Sequence, residues 1–406
     1  MIAIHSINLQ KYNKILMFNL DKVALPNRSW INIASASWIH FVADFYTNLL
    51  PVLLPLLALK FGFSYSECGM LFMVFQVTAS LLQAPIGILA DRKNLGIYLP
   101  LSVLTGGVLA SAVGLCDSAV ILVAIIFLSG ICSSGFHPIS GGIIPLITPK
   151  GREVLSTSIY IVGGNIGFAI APFVTALYLE HFTQVDLIYL AIIPILTTAL
   201  AFKQRLYVKP APLNPKDAIS LKVILKCKPF LWLVSSIGLR AVCYCSLVIY
   251  IPLLFQSKGL SSISASAILM TMLIGTAIGG LLVGAIARRF KLKFLILSSY
   301  VLTILMMVLF LNKADDSLIS YISIFIVGIG LYGVTPPAIV LAQRLLPKAD
   351  SFATSMMLGF TFGLGYIISV LVGVIGDYTD LQSSLSLVIF PTMIGAVISI
   401  LMVKES

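Results

Sequence analysis

The stretch Asn32-Ile-Ala-Ser-Ala-Ser-Trp-Ile-His40-Phe-Val-Ala-Asp44-Phe-Tyr-Thr-Asn48-Leu-Leu-Pro51-Val-Leu-Leu-Pro55-Leu-Leu-Ala-Leu59 decides how the chain reads. It is apolar and long enough to cross a hydrocarbon core of about 30 Å as a helix. Within it, His40 and Asp44 are spaced i, i+4 and share one helix face. Thr47, Asn48 and Pro51 continue that face. Asp44 lies about 12 residues into the stretch, or about 18 Å at 1.5 Å per residue, close to mid-membrane. A carboxylate at that depth is costly, so it faces a partner or a wet cavity and marks function.

Composition agrees. Hydrophobic residues make up 59% of the chain and charged residues 10%, against about 25% charged in a soluble domain. Apolar runs of about 20 residues recur along the whole length. The expected architecture is an all-α membrane protein of twelve transmembrane helices in two pseudo-symmetric six-helix bundles. Spans centre near Tyr46, Phe75, Gly106, Ser129, Gly164 and Ile195, then near Tyr244, Leu273, Leu302, Ile329, Gly363 and Gly395. Residues 1–30 form a cytoplasmic N-terminal extension, 31–202 the first bundle, 203–229 a basic, proline-bearing cytoplasmic linker, and 230–406 the second bundle.

Charge sets the expected orientation. In this topology 22 of the 26 Lys and Arg residues fall on the side of the termini and the central linker. Lys60, Lys258 and Lys313 lie on the other side, and Arg240 lies inside a span. Basic residues accumulate in cytoplasmic loops, so both termini are expected there. The net charge of +11 follows from this bias and does not point to nucleic acid. The N-terminal region has no basic segment ahead of an apolar one, so a cleaved signal is not expected; translation from Met17 is an alternative to Met1. The six cysteines are scattered and fit no metal pattern.

The halves repeat. At offset 197, Pro55 pairs with Pro252, Gly62 with Gly259, Ser64 with Ser261 and Gly87 with Gly284. At offset 198, Gly130 pairs with Gly328, Gly135 with Gly333, Pro138 with Pro336 and Gly167 with Gly365. Two six-span halves in one orientation require a pseudo-two-fold axis along the membrane normal, an arrangement suited to alternating access.

Two passages carry a family resemblance. Gly87-Ile-Leu-Ala-Asp91-Arg92 follows the second span, and Gly284-Ala-Ile-Ala-Arg288-Arg289 stands at its repeat. The first resembles the G-x-x-x-D-R signature of the major facilitator superfamily; the second has Arg288 where the first has Asp91. The resemblance implies that Gly87, Asp91 and Arg92 help lock the gate between the halves, with Gly284 and Arg288 as a weaker counterpart. Within the superfamily the chain resembles the fosmidomycin-resistance type of efflux protein. His40-Phe-x-x-Asp44 with Leu49-to-Pro55, Leu81-to-Arg92, Gly135-Phe-His-Pro138 and Gly163-to-Pro172 carry this. It implies proton-driven antiport, a small-molecule substrate and a bacterial inner membrane.

Asp44, with His40, is the candidate proton-coupling pair; the competing reading is a structural ion pair. Histidine titrates near neutrality, so His40 can share the proton or only orient Asp44. Arg240 aligns with Ala43 across the repeat and so reaches a similar depth from the other half. It either pairs with Asp44 or binds an anionic substrate group bidentately; a snorkelling side chain is the plainer alternative. Tyr244 shares its face. His137 sits in a Gly/Pro-rich, kink-prone segment. Asn165 stands among Gly163, Gly164 and Gly167, whose closer role is helix packing. Gln76, Ser80 and Gln83 form a polar stripe on the second span.

No phosphate-binding loop, nucleophile elbow, metal-ligand spacing or catalytic set is present, so no enzyme activity, cofactor or metal is expected. The partners are protons, a small molecule and the bilayer, and the chain is expected to be a monomer. The function these readings favour is a proton-coupled secondary transporter that exports a small amphipathic or anionic compound. Import of a nutrient or metal chelate by proton symport is the alternative. A receptor or scaffold that kept the fold without transport ranks last.

Overall fold

The computed structural model describes residues 26–83, 85–86, 89, 95–150, 152–207, 226–287, 289–346, 353 and 356–404. Among these, every regular element is helical. The physical reason is that lipid offers no hydrogen bonds, so each spanning segment must satisfy its own backbone.

Twelve helices follow in order. They are α1 (Trp30–Thr47 continuing as Leu50–Phe61), α2 (Tyr65–Leu81), α3 (Tyr98–Leu115), α4 (Ala119–Ser134 continuing as Phe136–Ile147), α5 (Glu153–His181) and α6 (Val185–Lys203). The second six are α7 (Lys228–Ser257), α8 (Ser262–Ile286), α9 (Leu292–Lys313), α10 (Leu318–Gly333 continuing as Thr335–Leu345), α11 (Met356–Tyr378) and α12 (Leu381–Leu401). Eleven are long and apolar enough to cross a membrane; α2 has 17 residues within its described bounds.

The repeat is visible in local geometry. Gly62 ends α1 and Gly259 follows α7, with φ of +71° and +85°, a conformation natural to glycine. Ser64 and Ser261 then cap α2 and α8, each accepting a backbone N–H from three residues on. The breaks in α4 and α10 fall at Gly135 and Val334. Packing repeats too: α1 lies on α5 as α7 lies on α11, and α2 on α4 as α8 on α10. The halves meet through α2 with α11 and α5 with α8.

Intramembrane prolines leave carbonyls without their helical donors, and neighbouring side chains fill two of these positions. Pro172 removes the donor for Phe168 O, and Asn48 Nδ2 donates to that oxygen at 2.8 Å. Pro194 does the same for Leu190 O, which accepts the Tyr46 hydroxyl at 2.6 Å. Both donors lie on α1: Asn48, on the polar face read from the sequence, ties it to α5, and Tyr46, off that face, ties it to α6. Ser37 adds a bond to Ile159 O at 2.8 Å. Gly163, Gly164 and Gly167 let α5 approach closely: a Cβ on any of them would collide with α1 at Ser37, at His40 and Asp44, or at Phe41.

Candidate functional site

Asp44 stands at the centre of the first bundle. Its Oδ2 lies 3.1 Å from His40 Nε2, one turn earlier on α1. Its Oδ1 lies 3.5 Å from His137 Nε2. His137 reaches it because α4 breaks at Gly135 and restarts at Phe136, which puts residue 137 in a first helical turn. The three ligand-capable atoms all lie within 4.8 Å of one another. Spacing along the chain offered no metal-binding set; the fold brings one together from two helices.

His40 is held on its other side. Its Nδ1 is 2.9 Å from Tyr160 O on α5. A carbonyl only accepts, so Nδ1 carries the proton of that bond. The Tyr160 ring stacks on the imidazole at 4.2 Å between centroids, and the Tyr160 hydroxyl bonds Ser140 on α4. Asp44 and His40 retain 13% and 9% of their side-chain exposure, while His137 retains 41%. The cluster is therefore walled by α1 and α5 and open past His137.

Arg240 occupies the second bundle on α7, a helix buried along nearly its whole length. The residue itself is fully buried. Nη1 donates to Leu331 O at 3.1 Å, in the last turn of the first part of α10, where carbonyls lack helical donors. Nε and Nη2 have no hydrogen-bond partner among the described residues. The guanidinium lies 5.0 Å from the Phe362 ring centroid, a cation–π contact. Tyr244 meets Phe362 edge to face at 5.4 Å and lies 6.1 Å from Tyr332. Arg240 forms no ion pair with Asp44 in this conformation.

The remaining sequence candidates divide. Asn165 is half-buried beside Gly164. Gln76 is buried, with an Nε2 that has no partner among the described residues. Gln83 is half-buried near the end of α2. Gly284 faces open space on α8, so no close approach requires a glycine there in this conformation. Gly87, Asp91, Arg92 and Arg288 lie outside the described residues.

Sequence reasoning passed over Tyr160, Tyr332, Phe362 and Asp377. Tyr160 acts through its backbone and its stacking face, which no spacing rule exposes. Asp377 carried a signal, an acid at the end of a span, but its partners are backbone amides on another helix.

The comparisons with known proteins agree with this architecture. The model of the Major Facilitator Superfamily matches residues 36–370. The fosmidomycin resistance protein of Escherichia coli (strain K12) is 27% identical over 375 residues, covering 89% of this chain and 90% of the relative. An uncharacterized MFS-type transporter of Bacillus subtilis (strain 168) is 23% identical over 379 residues, covering 88% and 89%. A mutant of the nucleoside transporter NupG superposes with a TM-score of 0.75 at 16% identity, covering 92% of this chain and 99% of that one. A bacterial homolog of the human lysosomal transporter Spinster, inward-facing and occupied, gives 0.68 at 16% identity, covering 94% and 96%. With twelve helices in two repeated halves and a family match over most of its length, the chain belongs to the major facilitator superfamily and is a multi-pass secondary transporter rather than an enzyme.

Proposed function

We propose that the chain is a proton-coupled antiporter that exports a small amphipathic or anionic compound across a bacterial inner membrane, with both termini cytoplasmic. One observation carries the reading. A carboxylate with two imidazoles sits in one bundle, and a buried guanidinium against Phe362, with two nitrogens that have no partner among the described residues, sits in the other. The first group is suited to taking and releasing a proton through Asp44 and His40. The second is suited to an anionic substrate group, because Nε and Nη2 together form one edge of the planar fork. His137, Asn165, Tyr244, Gln76 and Gln83 complete the proposed substrate path. Gly87, Asp91 and Arg92, with Gly284 and Arg288, form the proposed gate. The division at residues 203–229 separates the two bundles in this scheme.

Fosmidomycin, the compound after which the Escherichia coli relative is named, is the first probe. Everted and right-side-out vesicles would be loaded with a pH gradient and given labelled drug, alongside a panel of small anions. Accumulation in everted vesicles, abolished by collapsing the gradient, is the expected result. Accumulation only in right-side-out vesicles would turn the reading to the symporter alternative.

A further inference from the structure

The cluster around Asp44 brings three metal-capable groups, His40, Asp44 and His137, within 4.8 Å of one another. Because Tyr160 O takes the Nδ1 proton, a neutral His40 presents the lone pair of Nε2 to Asp44 Oδ2 at 3.1 Å. A cation satisfies both acceptors: a second proton on Nε2, which makes His40 an imidazolium, or a metal ion shared by the two atoms. An imidazole whose other nitrogen donates to a carbonyl is also the usual support for a metal-bound histidine, since it fixes the tautomer and the ring.

His137 sharpens the case. Its Nε2 stands 3.5 Å from Asp44 Oδ1, beyond the 2.7–3.2 Å range of an N–H···O hydrogen bond. Nitrogen and oxygen atoms that share one tetrahedral ion, each about 2.05 Å from it, lie about 3.3 Å apart. The observed 3.1 Å is measured to Oδ2 and the 3.5 Å to Oδ1, so each lies near that value at a different oxygen of the one carboxylate. The surroundings fit too. The rings of Phe136 and Tyr160 flank His40 at 5.5 and 4.2 Å. Gly164 keeps the space beside Nε2 free of a side chain. The exposed face of His137 leaves one direction open, as a site with three protein ligands and an exchangeable fourth position requires.

We propose that His40, Asp44 and His137 bind a divalent transition-metal cation, with zinc as the reference ion. Two imidazoles and one carboxylate suit zinc, cobalt or nickel; magnesium and calcium prefer more oxygen ligands. The proposal does not depend on the direction of transport or on what drives it. Binding is read on purified protein that transports nothing, so the vesicle assay and this one fail separately.

The test uses the full chain in detergent, stripped with a chelator and titrated with cobalt(II). One equivalent per chain should produce the visible d–d absorption of a four-coordinate ion, and one equivalent of zinc should abolish it. Loss of an outer-shell partner alone weakens a metal site by about 10–100-fold, so Asp44→Asn and His137→Gln should each weaken zinc binding by at least about tenfold. His181→Gln, at the exposed end of α5, should change nothing. Thermal unfolding without metal identifies any variant that fails to fold; either ligand variant suffices. A cobalt spectrum no different from the aqueous ion would overturn the proposal. So would a spectrum that survives in a folded ligand variant, or one lost in His181→Gln.

Discussion

Asp377, in the last turn of α11, accepts the backbone N–H of Tyr65 at 2.7 Å and that of Ser66 at 3.1 Å. These amides open α2, so a carboxylate from the second half caps a helix of the first. The first amides of a helix have no partner within it, and a negative charge there is favoured by the helix dipole. One turn deeper, the Tyr250 hydroxyl fits against Gly69 of α2 and Gly373 of α11, where a Cβ would collide with it. The halves are thus closed against each other at the end opposite the termini.

Asp377→Ala should loosen that closure. Losing a helix cap is worth about 0.5–2 kcal/mol, or roughly a 2–30-fold rise in the open fraction. Cys68 reports it: it is fully buried on α2, four residues past Ser64. Its alkylation rate, read by mass spectrometry on its own peptide, should rise by a factor in that range. An unchanged rate would show that Asp377 only caps α2.

Asp44→Asn fixes a neutral side chain at the proposed proton site. The variant should lose transport driven by a pH gradient and keep substrate exchange down a concentration gradient. Proteoliposome assays separate the two modes. Full pH-driven transport by the variant would move the coupling role to His40 or His137.

Arg240 is a buried charge with two donor groups that have no partner among the described residues. Each such group costs about 1–3 kcal/mol, about 2–6 kcal/mol for the two; set against the lost Leu331 bond and Phe362 contact, Arg240→Met should still stabilise the empty protein and raise its thermal midpoint. The same change should abolish anion binding. Arg240→Lys keeps the charge without the fork and should weaken anion binding while leaving proton coupling intact. A less stable Arg240→Met protein would show that the Leu331 and Phe362 contacts outweigh the unmet donors.

Asn48 and Pro172 should be coupled. Asn48→Ala leaves Phe168 O without its side-chain donor, at about 1–3 kcal/mol. Adding Pro172→Ala restores a backbone N–H to that carbonyl and should recover part of the loss. A double-mutant cycle by thermal unfolding should give an interaction of about 0.5–3 kcal/mol. Additive effects would mean that the carbonyl finds another donor.

Gly164→Ala should disturb stability and site together, since its Cβ would meet His40 Nε2 and Asp44 Oδ2. Overpacking of this kind costs about 1–3 kcal/mol. Gly284→Ala, at a position open to space, should leave stability nearly unchanged. A Gly164→Ala protein as stable and active as the parent would show that α5 can move off α1 freely.

The sequence by itself determined the twelve helices, eleven of them long and apolar enough to cross a membrane, their grouping in two halves and the presence of Asp44 and His40 on one helix face. These are local properties. A bilayer demands about 20 apolar residues per helix, the i, i+4 rule needs one helix only, and glycine turns such as Gly62 and Gly259 recur at a fixed offset. Tertiary structure alone decided which side chains meet. His137 reaches Asp44 because α4 breaks where it does. Tyr160 orients His40 through a carbonyl that carries no residue-type signal. Arg240 lies against Phe362 and Leu331 in one bundle, while Asp44 is held by His40 and His137 in the other. Contacts between distant helices depend on crossing geometry and on the relative placement of the halves, and neither is encoded in any single stretch of the chain.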